Sequence, residues 1–182
     1  FVLETEGGGE RKLHSCRIIP ERGSWIELNV GRKENLQVRI DQSGKFSIMT
    51  LLRATDPKYG EDDDLLRVFY DTDKVRVVDG RSAGKIEGKL AVGDVVYPAD
   101  SERAGEIIAE CGQKITKNAA ETICTSGISE IEVTDEPRNP LLLNSLAEDG
   151  TASHEEALLR IYQRLRPGNP PQLEKAKALF HE

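Results

Sequence analysis

Two short runs of alternating apolar and polar residues, separated by a polar loop, constrain the fold of this chain most strongly. In residues 25–30, and again in residues 36–41, every second side chain is apolar, as in a strand with one buried face. The connection between them, residues 31–35, is polar and begins with glycine, which is typical of an antiparallel turn. The sequence therefore predicts a hairpin over residues 24–41.

The register of this hairpin decides where the only tryptophan lies. If Val30 pairs with Leu36, Trp25 lies opposite Asp41 on the face that does not contribute to the core. An indole beside a carboxylate can stack on a planar ligand and accept hydrogen bonds from the edge of that ligand. Two alternatives stay open: Trp25 packs against another layer of the domain, or a one-residue slip of register buries it.

The rest of the chain predicts a core that is interrupted by an insertion. Helical spacing of apolar residues predicts four helices, near residues 47–55, 61–70, 153–165 and 171–181. Between residues 71 and 136 the pattern changes to short, Val- and Ile-rich strands divided by glycines, with one further helix near residues 117–124. We therefore predict an α+β fold, in which the hairpin and helices of residues 1–70 and 137–182 form the core and residues 71–136 form an inserted β-rich subdomain.

Arg166 lies at the end of the helix predicted near residues 153–165, directly before Pro167 and Gly168. That helix begins with Ser153 and Glu156, which have the spacing of a capping box. It ends at Arg166, because Pro167 disfavours helical geometry in the residue before it. Two roles stay open for the Arg166 side chain: it neutralises the last carbonyl groups of the helix, or it reaches a ligand.

The charge distribution limits where a nucleic acid could bind. The net charge of −7 argues against a broad DNA-gripping surface, because non-specific affinity depends on many cations. Residues 1–60 nevertheless carry ten Lys and Arg against eight Asp and Glu, so the acidic excess lies in the rest of the chain. We expect any nucleic-acid contact at the hairpin end, and we interpret the acidic remainder as a solvated surface.

No pattern in the sequence indicates catalysis or metal binding. Cys16, Cys111 and Cys124 are far apart and lack the spacing of zinc ligands, so we expect reduced, mostly buried thiols. The acidic run Asp62 to Asp64 suits a helix start, and no phosphate-binding glycine loop or nucleophile–base pair accompanies it. We predict no catalytic residue, no metal ligand and no cofactor within this chain.

Five strings of sequence occur in an order that is typical of one protein family. The two most specific are RIIPERGSWIEL at residues 17–28 and EEALLRIYQRLRPGNPP at residues 155–171. LQVRID, LLRAT and NPLLLNSL begin at residues 36, 51 and 139. Together they resemble the lobe domain of the bacterial RNA polymerase β subunit, beside the downstream DNA. A whole β subunit is several times longer, so we expect this chain to be a fragment of one.

The resemblance implies DNA contacts for residues at the matching positions. In the family, the tryptophan, aspartate and arginine of the RGSW, RID and RPG motifs approach the non-template strand and help form a pocket that senses promoter sequence. The matching residues are Trp25, Asp41 and Arg166. Trp25 would stack on an unpaired base, Asp41 would accept hydrogen bonds, and Arg166 would contact a phosphate or a base edge. Arg39 and Lys45 are the further DNA-binding candidates.

The resemblance also implies the surroundings of the chain. The partners would be DNA, as non-template strand and downstream duplex, and the β′, α and sigma subunits of the polymerase. The assembled enzyme is a nucleotidyltransferase, whose Mg²⁺ ions and catalytic carboxylates lie elsewhere. No apolar run is long enough to span a membrane, so we expect a cytoplasmic, nucleoid-associated bacterial protein. One departure is that the family's arginines after RID are replaced by Gln42-Ser43-Gly44, which leaves Lys45 as the only cation of the expected rim.

Two alternatives belong to other functional classes. The Gly- and Val-rich residues 88–115 resemble a lipoyl- or biotinyl-type carrier domain, and Lys74 has acidic neighbours like the lysine that such domains modify. Lys74, however, precedes both predicted hairpins and has no adjacent methionine. In the other alternative, the inserted subdomain is a docking module for transcription regulators.

Overall fold

The computed structural model describes residues 2–5 and 12–181, and it confirms the predicted α+β class. The strands are β1 (Val2–Thr5), β2 (Lys12–Ile18), β3 (Ile26–Val30), β4 (Leu36–Ile40), β5 (Phe46–Ser47), β6 (Asp73–Arg76), β7 (Leu90–Ala91), β8 (Val95–Val96), β9 (Ile107–Ala109) and β10 (Glu130–Thr134). The helices are α1 (Ile48–Thr55), α2 (Asp62–Phe69), α3 (Ala83–Ile86), α4 (Lys117–Thr125), α5 (Leu141–Glu148), α6 (His154–Leu165) and α7 (Leu173–His181). Within the described ranges, no helix has the length and apolar character that a membrane span requires.

The chain divides into two compact units. The first consists of Phe1–Glu61 and Asn139–Glu182, and the second of Asp62–Arg138. The helix α2, which the sequence analysis groups with the core, lies in the second unit. Its Arg67 binds Glu132 of β10 at 2.9 Å, and this contact fixes the helix to the strands of the insertion.

The predicted hairpin is the centre of an antiparallel five-stranded sheet with the strand order β1-β2-β3-β4-β5. Val30 pairs with Leu36 and Leu28 pairs with Val38, so the predicted register is confirmed. The polar connection closes as a tight turn, in which the Gly31 N–H donates a hydrogen bond to the Asn35 carbonyl at 2.7 Å. The strands β1, β2 and β5 extend this sheet beyond what we predicted.

A short helix that we did not predict, α5, ties the hairpin to the helical part of the first unit. Ser145 of α5 is fully buried. Its hydroxyl accepts a hydrogen bond from the Leu36 N–H at 2.7 Å, and its carbonyl accepts one from the Ser47 hydroxyl at 2.7 Å. Ser47 also caps α1, since its hydroxyl accepts the Met49 N–H at 3.2 Å. One serine of α5 therefore fixes both β4 and the start of α1.

The core of the first unit lies where the sheet meets α1 and α6. Val38 of β4 and Met49 of α1 are buried together with Ala157, Leu158 and Ile161 of α6. The start of α6 is set by the predicted cap, because the Ser153 hydroxyl accepts the Glu156 N–H at 3.2 Å. The Glu156 carboxylate returns to the Ala152 N–H at 2.9 Å, one residue before the position that a standard capping box uses.

The second unit has a three-stranded sheet, β6-β10-β7, and a two-stranded sheet, β8-β9. Its apolar core includes Ile86, Ile115, Ile123 and Val133. Lys74 lies within β6, in register with Glu132 of β10, and not at the tip of a hairpin. This position removes the geometric basis of the carrier-domain alternative.

The three cysteines are free thiols, and each is partly buried. Burial raises the pKa of the Cys111 thiol to about 11, because removal from water disfavours the charged thiolate. Since the thiolate is the nucleophile, we expect iodoacetamide to label Cys111 roughly 100-fold more slowly than in the unfolded chain near neutral pH. Peptide mass spectrometry with and without urea measures this ratio, and equal rates in both states would contradict the burial.

Candidate nucleic-acid interface

Trp25 and Asp41 lie side by side at the end of the hairpin, one residue beyond the pair formed by Ile26 and Ile40. The Trp25 N–H donates to Asp41 Oδ1 at 2.9 Å, and the Asp41 N–H donates to the Trp25 carbonyl at 2.9 Å. Asp41 has a φ of 49°, in the left-handed region that aspartate tolerates better than most residues. The adjacency that the register predicts is therefore present, and the Asp41 carboxylate helps to hold the Trp25 backbone.

The indole of Trp25 is partly buried, so it is neither fully exposed nor part of the core. The guanidinium of Arg17 lies over the ring at 4.7 Å from its centroid and also binds Glu27 at 3.2 Å. This places the ring on the face of the sheet that carries Glu27. Hydrogen bonds from Asn29 and Arg17, together with the charges of Arg17 and Arg39, lower the pKa of Glu27, although burial opposes them. The face is thus a mixed row of charges around one aromatic ring.

A cavity of about 490 Å³ lies between the hairpin end and the helices α6 and α7. Apolar residues of the sheet and helices form most of its wall, and its polar members are Arg22, Ser24, Asp41 and Arg166. Asp41 and Arg166 therefore share one cavity, although they are far apart in sequence. Trp25 is not part of its lining, so Asp41 connects the tryptophan on one side with the cavity on the other.

Arg166 ends α6 as the sequence predicts. Its N–H donates to the Tyr162 carbonyl at 2.8 Å, and its Nη1 donates to the Leu165 carbonyl at 3.3 Å. The side chain is exposed. A single long hydrogen bond to its own helix end leaves the guanidinium able to turn towards a ligand in the cavity, so the two roles that the sequence left open are compatible.

Comparison with known proteins identifies the family. The chain is 64% identical over 182 residues to the DNA-directed RNA polymerase subunit beta of Rhodopirellula baltica, covering 100% of this chain and 15% of that protein. The subunit beta of Methylacidiphilum infernorum is 33% identical over 182 residues, and that of Leptospira biflexa 29% over 173 residues; they match 93% and 92% of this chain and 14% of their own length. The chain belongs to the RNA polymerase β-subunit family. No protein-family model matches it.

The β-subunit resemblance grouped three residues, and the structure brings them together in two pairs. Trp25 is bonded to Asp41, and Asp41 shares the cavity with Arg166. Arg39 lies opposite Glu27 in the register of β3 and β4. Its buried Nε has no hydrogen-bond partner among the described residues. Lys45 lies at neither place, because it lines a separate cavity.

Sequence reasoning did not assign several residues that the structure places at this β-subunit surface. Arg17 covers Trp25 because β2 pairs with β3, so recognising β2 as a strand would have found it. Arg22 and Ser24 lie within the RGSW string itself and line the cavity. In the part of the chain that the structure describes, no group of three or more His, Cys, Asp and Glu side chains could hold a metal ion.

Proposed function

We propose that this chain is part of the lobe of an RNA polymerase β subunit and contacts the non-template DNA strand during DNA-directed RNA synthesis. The observation that carries the proposal is that Asp41 joins Trp25 to the cavity that Arg166 lines. The chain spans about 15% of the length of the relative from Rhodopirellula baltica. The assembled enzyme would be a nucleotidyltransferase, with its Mg²⁺ ions and catalytic carboxylates outside this chain.

The first step of the proposed contact is the stacking of an unpaired base on Trp25. The ring is covered on one side by Arg17, whose side chain is 47% exposed and is held by a single ion pair to Glu27. An exposed pair of this kind contributes little, about 0–1 kcal/mol, so Arg17 can leave the ring or lie against an arriving base. Stacking on an aromatic side chain accepts any of the four bases, and its strength differs among them.

The second step is the reading of what lies beside the stacked base. Asp41 Oδ1 is used by the Trp25 N–H, whereas Asp41 Oδ2 makes no hydrogen bond within residues 2–5 and 12–181. An exocyclic amino group of a base can donate to that oxygen, and the exposed Arg166 can bind a phosphate or a base edge. As part of the polymerase, the chain would have DNA and the β′, α and sigma subunits as its partners, in a cytoplasmic, nucleoid-associated enzyme.

Replacing Trp25 by Ala in the assembled polymerase tests the proposal. Loss of a stacked base costs about 1–3 kcal/mol, so we expect open complexes to dissociate roughly 5- to 150-fold faster on promoters whose non-template base stacks best. Promoters with a poorly stacking base should change less. The lifetime is measured by challenge with a competitor over a set of promoters that differ at that base.

A Trp25→Phe variant is the matched control, because it keeps an aromatic plane at the same place. It should recover most of the lifetime that Trp25→Ala loses. Equal lifetimes for the wild-type enzyme and Trp25→Ala on every promoter would contradict the proposal. Poor assembly of Trp25→Ala alone would show that the ring serves the fold of the first unit.

A further inference from the structure

A second cavity of the first unit is lined by cations from two separate elements. Its volume is about 220 Å³, and it receives Lys45 from the β4–β5 connection together with Arg160 and Arg164 of α6. All three side chains are exposed. Arg164 packs closely on the β4–β5 connection, since a Cβ at Gly44 would lie 3.0 Å from Arg164 Nη1. The glycine thus leaves room for the guanidinium beside Lys45.

These three cations outnumber the carboxylates in the lining of the cavity. None of them forms an ion pair with any residue that the structure describes. Arg160 Nη2 has only a long hydrogen bond, 3.5 Å, to the Gly150 carbonyl. Arg160 and Arg164 are also separated by one helical turn, where like charges destabilise a helix by about 0.2–0.5 kcal/mol. Glu148 is the single carboxylate in the lining, so the cavity carries a net positive charge.

The three hydroxyl groups that line the cavity, those of Ser47, Thr50 and Thr151, already form hydrogen bonds inside the protein. The Ser47 hydroxyl donates to the Ser145 carbonyl at 2.7 Å, and the Thr50 hydroxyl donates to Asp149 Oδ1 at 2.7 Å. The charged donors that remain for a ligand are the Lys45 ammonium and the guanidinium forks of Arg160 and Arg164. Two forks and an ammonium around one space match the oxygens of a phosphate group better than a carboxylate or a neutral ligand.

We propose that Lys45, Arg160 and Arg164 form a phosphate-binding site, which a backbone phosphate of the non-template strand occupies in the assembled polymerase. The phosphate chemistry rests on the cavity itself, and the strand as its source rests on the proposed function. Lys45 follows Asp41 after only Gln42-Ser43-Gly44, so a strand whose base meets Trp25 and Asp41 passes close to this cavity. The two arginines supply from α6 the charge that the short connection lacks.

The test uses polymerase assembled with the full-length β subunit and a DNA scaffold with an unpaired bubble. Single phosphates of the non-template strand are replaced, one position at a time, by neutral methylphosphonates. For the wild-type enzyme we expect affinity to fall at one or two adjacent positions. The double variant Arg160→Gln, Arg164→Gln should bind more weakly and should no longer respond at those positions.

The salt dependence gives a second readout. For the double variant, the slope of log K against log salt should become shallower by about 0.7 for each lost contact to a single-stranded phosphate. Lys175→Gln is the control to set beside the single variant Arg164→Gln, because it removes the same charge from an exposed site on α7 that does not line the cavity. Lys175→Gln should keep both the wild-type salt slope and the wild-type methylphosphonate response.

Three other outcomes are decisive. An unchanged methylphosphonate response in the double variant overturns the site. In the second outcome, inorganic phosphate at constant ionic strength weakens DNA binding by the wild-type enzyme but not by the double variant, and no methylphosphonate position is sensitive. That result keeps the phosphate site but overturns DNA as the source of the phosphate. If Trp25→Ala abolishes base preference on the same scaffolds while no phosphate position depends on the arginines, this inference fails and the proposed function stands.

Discussion

Replacing Asp149 by Ala should lower the free energy of unfolding of the first unit by about 3–5 kcal/mol, because it removes the carboxylate that is ion-paired with the buried guanidinium of Arg53. The Arg53 side chain is 1% exposed and that of Asp149 0%, and Arg53 Nε donates to Asp149 Oδ2 at 2.8 Å. The other oxygen, Oδ1, accepts from the hydroxyls of Thr50 and Thr151 at 2.7 and 2.9 Å. One carboxylate therefore accepts hydrogen bonds from three buried side chains and, at 3.2 Å, from the Thr151 N–H.

Urea denaturation followed by circular dichroism measures this loss. Asp149→Asn should lose less stability than Asp149→Ala, because its amide oxygen can still accept the threonine hydroxyls. It should remain less stable than the wild type, because it lacks the negative charge beside Arg53. Glu148→Ala is the neighbouring control, since Glu148 is exposed, and it should change stability by no more than about 0.5 kcal/mol. A change for Asp149→Ala as small as that of the control would mean that water reaches Arg53 in the folded protein.

The hairpin and its register could be predicted because both depend on local pattern. The alternation in residues 25–30 and 36–41 fixes the faces, and the polar turn fixes which residues meet. The strand β2 was missed because its sequence, KLHSCRI, does not alternate cleanly, and it becomes a strand by pairing with β3. The helix α5 is likewise fixed by tertiary hydrogen bonds to Leu36 and Ser47, which no local window contains.

In the candidate site, too, local pattern predicts some contacts, whereas others depend on tertiary packing. The bond between Trp25 and Asp41 follows from the register, whereas the shared cavity of Asp41 and Arg166 requires the sheet to pack on α6, which periodicity does not specify. Family resemblance supplied that second link. The meeting of Lys45 with Arg160 and Arg164 had neither signal, because it arises from packing between elements that are distant in sequence.

The Asp41 position should be the most sensitive point of the proposed interface. We expect Asp41→Ala to lower the free energy of unfolding by about 2–4 kcal/mol, for two separable reasons. Alanine has no oxygen to accept the Trp25 N–H, which Asp41 Oδ1 now accepts at 2.9 Å. Alanine is also strained at a φ of 49°, a conformation that glycine adopts at no steric cost.

Two further variants separate these contributions. Asp41→Gly removes the acceptor but relieves the backbone, so its stability should lie between those of Asp41→Ala and the wild type. Asp41→Asn keeps an oxygen for the Trp25 N–H and tolerates the left-handed region, so it should lose no more than about 1 kcal/mol. Thermal denaturation of the three variants gives the order. Alanine as stable as glycine would show that the backbone conformation places no constraint on this residue.

Asp41→Asn then isolates the charge of the carboxylate in the assembled polymerase. If the carboxylate accepts a hydrogen bond from a base, the amide, which is neutral and can also donate, should shift which promoter bases give long-lived open complexes. If Asp41 acts only by holding the Trp25 backbone, Asp41→Asn should keep the wild-type base preference while Asp41→Ala loses it. The same aspartate thus distinguishes direct reading of a base from positioning of the ring on which that base stacks.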